Sequence, residues 1–154
     1  MSNSLNFDEG LKVYTINDDP DRKITISTSD YSLITRFQEA ERAIKNKAKE
    51  YDKVKLNADG SAAVDTEEAA AAIKDLTEFI EGQINYIFNA DVAGVVFNGQ
   101  SCLSTCKGVP LYERFLNAVI PEIEADLKEE VKASQKRINK YTSNNKYKKA
   151  TGKR

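Results

Sequence analysis

The stretch from Asp65 to Leu127 constrains the fold of this 154-residue chain more than any other, and its centre is the run INYIFNADVAGVVF, Ile84 to Phe97. At its start, Asp65 and Glu68 have the spacing of a capping box, with an Asp in the place of Ser or Thr. Apolar residues then recur at spacings of three and four until about Asn89, which is typical of a helix that buries one face. The stretch therefore predicts a long amphipathic helix.

The segment after this helix predicts a second, much shorter one. Asn89-Ala90-Asp91 is the expected cap of a helix from Val92 to Phe97 that is apolar nearly all round. Such a helix must be buried in the fold or at an interface. A loop rich in Ser, Thr and Gly follows, and Pro110 suits the first position of the next helix. Pro121 lies inside that helix, so we expect a kink or break near Ile120.

The N-terminal part predicts a β-hairpin over about residues 11–28. Val13 and Thr15, and then Ile24 and Ile26, alternate with polar residues, which indicates half-buried strands. The run Asn17–Asp21 between them is dense in turn-forming residues. A lone hairpin is marginal in water, so we expect it to pack on the helices or on another chain.

An amphipathic helix is predicted from about Ser29 to Asp52, with Arg36 among its solvent-facing charges, and a connection follows at Leu56–Val64. The predicted fold is mainly α: an N-terminal hairpin and a helical bundle of three long helices plus a short central helix. Residues 1–141 are expected to form one domain, because a chain of this length is large enough for one core.

Residue chemistry argues against an enzyme. The chain has no His, which removes Ser-His and Cys-His catalytic groups and most zinc sites. Cys102 and Cys106 are interpreted as free thiols, with a redox pair activated by Lys107 as the alternative. The acidic residues are spaced as solvated helix faces rather than as metal ligands, and no glycine-rich phosphate loop is present. We expect no cofactor and no metal.

Five aromatic residues cluster in sequence around the short central helix, and they are the candidate partner-binding residues: Tyr86, Phe88, Phe97, Tyr112 and Phe115. Aromatic side chains commonly anchor helix-lined recognition grooves. The competing interpretation is that they belong to the core.

The C-terminal end is basic. From Lys132 onward the sequence holds nine Lys and Arg residues and no Asp or Glu. We expect residues 142–154 to be a disordered tail, with Lys146, Lys148, Lys149, Lys153 and Arg154 as its candidate contacts. Such a tail favours contact with phosphate charge, so a small nucleic-acid-associated adaptor is one alternative function. No nucleic-acid-binding motif accompanies it.

The order of these features resembles that of the tail assembly chaperones of long-tailed, siphovirus-type phages of Gram-positive bacteria. The resemblance covers roughly Ala69 to Asp126 and rests on INYIFNADVAGVVF, a short variable loop, and YERFLNAVIPEIE leading into the last helix. The sequence departs from the family at Leu56–Val64, a long insert-like connection, and at Asn89–Asp91, where the family often has a Gly-rich loop.

This resemblance implies a non-enzymatic protein that binds the apolar tape measure protein and recruits tail tube subunits. It also implies self-association, and action in the host cytoplasm without retention in the mature virion. No signal peptide or membrane-spanning run is found in the sequence. A structural virion component or scaffold is a further alternative.

Overall fold

The structure, a computed structural model, describes residues 2–50 and 66–151, and the side chains of residues 2–50, 67–140 and 142. A hairpin of β1 (Lys12–Ile16) and β2 (Asp19–Ile26) precedes α1 (Ser32–Lys49), α2 (Thr66–Phe88), the short α3 (Ala93–Phe97) and α4 (Leu111–Thr151). The predicted helix-dominated α+β fold with an N-terminal hairpin is confirmed. The Leu56–Val64 connection and Asp65 of the expected capping box lie outside the described residues.

The turn of the hairpin is shorter than the predicted turn-forming run Asn17–Asp21. Asn17 and Asp18 both have positive φ, 52° and 60°, as a two-residue type I′ turn requires. Asp19 already pairs with Ile16, so the turn ends earlier than expected. The register then shifts, and residues 20–22 of β2 form a bulge, a position in which a proline costs no ladder hydrogen bond.

The inward face of β1 is the opposite of the predicted one. Tyr14 pairs with Ile24, and cross-strand partners lie on the same face of a hairpin. Ile24 and Ile26 are buried as expected, but Val13 is 63% exposed. The assignment of Val13 to the half-buried face was wrong, because the antiparallel register places Tyr14 and Ile16 against the core instead.

The core lies where the hairpin, α1, α2, α3 and the first part of α4 meet. Ile80, Ile84 and Ile87 of α2 are at most 1% exposed. Complete burial of an isoleucine side chain contributes roughly 1.5–3 kcal/mol. The α1 helix starts three residues later than predicted, after Asp30, whose Oδ1 accepts the Ser32 N–H at 2.9 Å.

Between α3 and α4, where the sequence predicts a loop, the chain forms a second, very small hairpin. Its strands are β3 (Thr105–Cys106) and β4 (Val109–Pro110). Lys107 and Gly108 connect them with positive φ values of 54° and 79°. This hairpin leads directly into α4.

Of the kink or break expected near Ile120, the break is absent, because α4 continues through Pro121. Both Pro121 and Asn117, whose carbonyl loses its helical partner, are exposed. The helix also continues to Thr151, into the segment for which disorder was expected; residues 152–154 lie outside the described part. Residues 128–140 are all exposed, so this part of α4 projects from the core.

Candidate partner-binding surface

The corner between α2 and α3 is formed by a Schellman motif. Asn89 ends α2 in the left-handed conformation, with φ at 50°. Its N–H donates to the Tyr86 carbonyl at 3.2 Å, and the Ala90 N–H donates to the Asn85 carbonyl at 3.2 Å. These two bonds satisfy carbonyl groups that the helix end would otherwise leave without partners. The corner holds α3 across the end of α2.

The start of α3 is capped by Asn85 on the preceding helix, and not by the segment Asn89–Asp91 as predicted. Asn85 Oδ1 accepts the N–H groups of Val92 and Ala93 at 2.8 and 2.9 Å. Its Nδ2 donates to Asp91 Oδ1 at 3.3 Å. Because five residues make too short a helix to be stable alone, these bonds from α2 fix its position.

Arg22 satisfies carbonyls at the other end of α3. Its Nε donates to the Val95 carbonyl at 3.1 Å, and its second guanidinium nitrogen donates to the Val96 carbonyl at 2.6 Å. The β2 bulge includes Arg22, and bulges commonly redirect a side chain in this way. A cation is also favoured at the negative end of a helix dipole. The hairpin and α3 are therefore joined through one guanidinium group.

Arg36 joins α1 to the C-terminal end of α2. Its Nε donates to the Ile87 carbonyl at 2.9 Å, and its guanidinium pairs with Asp30 at 2.7 Å. The Arg36 hydrogen bond lowers the pKa of Asp30. The prediction that Arg36 faces solvent is wrong, because only 17% of its side chain is exposed.

Asp126 connects α4 to the hairpin. It accepts a hydrogen bond from Lys12 Nζ at 2.8 Å and another from the Thr28 hydroxyl. Its side chain is 14% exposed. The bonds from Lys12 and Thr28 lower its pKa, because they stabilise the charged form. None of these polar connections was predicted from the sequence.

Three of the five candidate aromatic residues form one cluster. The Phe88 and Phe115 ring centroids are 5.7 Å apart, and those of Phe97 and Phe115 are 6.3 Å apart, both edge to face. Phe88 and Phe97 are 5% and 4% exposed. The structure therefore places these two residues in the core, and Phe97 additionally lines two surface clefts.

Tyr112 lies on the wall of a half-open apolar groove between α1, the end of α2 and α4. The groove has a volume of about 290 Å³. Its apolar lining consists of Phe37, Ile44, Ile87, Tyr112, Leu116 and Ile120. Glu41, Lys45 and Glu113 are its charged residues. We call this the α1/α4 groove.

Phe115 also lines a wider cleft of about 790 Å³ on the other side of α4, facing the hairpin. Tyr86 lies apart from these surfaces: it is 46% exposed and donates its hydroxyl proton to Glu39 of α1. That hydrogen bond raises the Tyr86 pKa. Phe88 thus belongs to the core alone, Phe97 belongs to the core and also lines the wider cleft, and Tyr112 and Phe115 are half-buried residues that line grooves. Tyr86 joins α1 and α2.

The two cysteines occupy very different environments. Cys102 is completely buried, and Cys106 is exposed in β3. Burial, with a smaller contribution from Glu81, raises the pKa of Cys102 to about 12. A buried thiol with this pKa stays protonated near neutral pH, which disfavours the alternative of a redox pair.

The backbone at Lys146, Lys148 and Lys149 is helical, while Lys153 and Arg154 lie outside the described residues. Within the part of the chain that the structure describes, no group of three or more Cys, Asp or Glu residues is placed to hold a metal. None of the helices among these residues combines the length and the apolar composition needed to cross a bilayer.

Comparison of the chain with models of known protein families, with curated proteins and with solved structures finds no match.

Proposed function

We propose that this chain is a non-enzymatic tail assembly chaperone of a long-tailed phage, which binds the tape measure protein and recruits tail tube subunits. The resemblance of INYIFNADVAGVVF and YERFLNAVIPEIE to that family supports the proposal. The observation that carries it is the α1/α4 groove, an apolar surface of a type that fits a helix of another protein. Self-association, and action in the host cytoplasm without retention in the virion, belong to the same proposal.

The α1/α4 groove suits a client helix for three reasons. Two helices form its sides, so ridges of apolar side chains from a third helix can enter between them. Tyr112 and Leu116 are only half-buried, so they remain accessible from the open side. Ile120 lines the groove but does not belong to the core or to the residues packed against it. A partner that covers Ile120 therefore gains apolar burial that folding leaves unused.

The charged residues around this groove have a separate role. Glu41, Lys45 and Glu113 carry both signs at its edges. Exposed charges of this kind mostly set the orientation and the association rate of a partner rather than the affinity. We therefore expect tape measure binding to depend more on apolar contacts than on salt.

Ile120→Glu is the variant that tests the groove. It introduces a carboxylate where the client helix would pack, and Ile120 contributes little to the core, so the fold should remain intact. We expect the affinity for co-expressed tape measure protein to fall at least about tenfold, since an unpaired charge in apolar contact costs more than about 1.4 kcal/mol.

Ile34→Glu is the matched control, because Ile34 lies on α1, is 50% exposed and lines none of the grooves described. Equal tape measure binding by both variants would count against the groove. Failure of the unmodified chain to retain tape measure or tail tube protein from infected cells would refute the chaperone proposal itself. Detection of the chain in purified mature particles would favour a structural virion component instead.

A further inference from the structure

The C-terminal part of α4, residues 128–151, continues the helix beyond the core, and the side chains of residues 128–140 are all exposed. We call it the basic arm. As a helix of 24 residues it extends about 36 Å. Its residues from 128 to 140 are all exposed, and Val131 and Ile138 are 57% and 55% exposed. Because most helical stability in proteins comes from packing of an apolar face, burial of Val131 and Ile138 against another surface would stabilise the basic arm.

The sequence of the basic arm indicates what kind of surface the arm would bind. Val131 and Ile138 are seven residues apart and lie on one face of the helix. Lys132 and Arg137 flank that face on its two sides, since they are displaced by about 100° and 120° around the helix from Val131. The arm has eight basic residues and two acidic residues, and both acids, Glu129 and Glu130, precede Val131. A matching surface is therefore apolar in the middle and acidic at its edge.

A groove with these properties lies on the same chain, between α2 and α3, and we call it the α2/α3 groove. Its volume is about 610 Å³. Its lining includes Ala70, Ile73, Ala93, Gly94 and Gly99, and its charged residues are Glu78, Glu81 and Lys74. Ile73 is 50% exposed, so the apolar surface is open.

Two features make the α2/α3 groove receptive to a basic helix. A Cβ built on Gly94 or Gly99 would meet nothing within 4 Å, so a helix can approach the backbone closely. Burial and the neighbouring charge of Glu78 raise the pKa of Glu81. The two carboxylates therefore repel each other in the monomer, and a guanidinium or ammonium group placed between them would relieve the repulsion.

The basic arm cannot occupy the groove of its own chain while α4 is one continuous helix. Residues 111–127 are fixed on the core by Val119, Ile123 and Asp126, and residues 128–140 project from it fully exposed. We infer that the basic arm of one copy docks in the α2/α3 groove of a second copy, with Val131 and Ile138 on the groove floor and Lys132 and Arg137 beside Glu78 and Glu81. This contact specifies the self-association that belongs to the proposed function, whereas the test of tape measure binding uses a different groove, so the two can fail separately.

A charge exchange in the full-length chain tests the contact. The variants are Glu78→Lys/Glu81→Lys, Lys132→Glu/Arg137→Glu, and the four substitutions combined, compared by sedimentation at low ionic strength. Each double variant should weaken self-association at least about tenfold, because like charges at an interface cost several kcal/mol. The combined variant should recover most of the loss. A wild-type chain that stays monomeric at about 100 µM, or a combined variant as weak as the doubles, would overturn the inference.

A steric test uses two glycines in exposed helix positions. A Cβ at Gly94 or at Gly82 meets nothing within 4 Å. Gly94→Leu adds a bulky side chain in the α2/α3 groove, and Gly82→Leu adds the same side chain on α2 at a position that does not line the groove. Gly94→Leu should abolish self-association, and Gly82→Leu should leave it unchanged, with circular dichroism confirming that both fold. Equal association of the two variants would overturn the inference. A monomeric chain whose arm shifts DNA in a low-salt gel would likewise overturn it and favour a nucleic-acid contact.

Discussion

Replacement of Asn85 by Ala should destabilise the chain by more than a typical half-exposed polar substitution. The Asn85 side chain accepts the N–H groups of Val92 and Ala93, and it also donates to Asp91. Each lost hydrogen bond costs about 1 kcal/mol, and an N–H left without a partner in a partly buried site costs more. We therefore expect the free energy of unfolding to fall by about 2–3 kcal/mol.

Asn85→Asp separates the capping role from the rest of the side chain. A carboxylate keeps an acceptor for both N–H groups and strengthens those bonds by its charge. It loses the donor to Asp91 and places two acidic groups side by side. The two effects oppose each other, so the cost should stay within about 1 kcal/mol at neutral pH.

Urea unfolding followed by circular dichroism measures both variants, with the midpoint compared at constant m-value. Equal losses for Asn85→Ala and Asn85→Asp would refute the assignment of Asn85 as the cap of α3. A loss below about 0.5 kcal/mol for the Ala variant would show that α3 keeps its position without the cap.

Three further predictions concern charge, thiol reactivity and backbone entropy. The pKa values of Asp30 and Asp126 are lowered in the folded chain, so their stabilisation should be complete above the ordinary Asp pKa of about 3.9 and disappear as the pH falls through their folded values. The urea midpoint of the unmodified chain should therefore decline between about pH 5 and about pH 2, and Asp30→Asn/Asp126→Asn should make this decline smaller. An unchanged decline would contradict the lowered pKa values of the two carboxylates. In native protein, iodoacetamide should modify Cys106 and leave Cys102 unmodified until denaturant is added; equal native labelling in a peptide mass map would contradict the burial of Cys102. Gly82→Ala should raise the free energy of unfolding by about 0.5–1 kcal/mol, because a Cβ there meets nothing within 4 Å in an exposed helix; a lower urea midpoint would contradict the open environment of this position.

The hydrogen bonds of Arg22, Arg36 and Asp126 could not be predicted from sequence periodicity. Arg22 and the Val95 carbonyl are 73 positions apart, and Thr28 and Asp126 are 98 apart. No local spacing relates residues so far apart in sequence. Periodicity also predicts that Arg36 faces solvent, because other charged residues share its face of α1. The bulge that redirects Arg22 and the register that places Lys12 near Asp126 exist only once the hairpin has formed.

The sequence by itself determined the hairpin, the three long helices, the short α3 and most of the buried isoleucines, because each follows from a local apolar period or a turn residue. Only the tertiary structure decided which aromatic residues are available to a partner. Phe88 and Phe97 are at most 5% exposed while Tyr112 and Phe115 are only half-buried, although all four lie in the same apolar stretch. The physical reason is that the spacing of apolar residues identifies which face of a helix is buried. How completely each side chain on that face is buried depends on how several helices pack together.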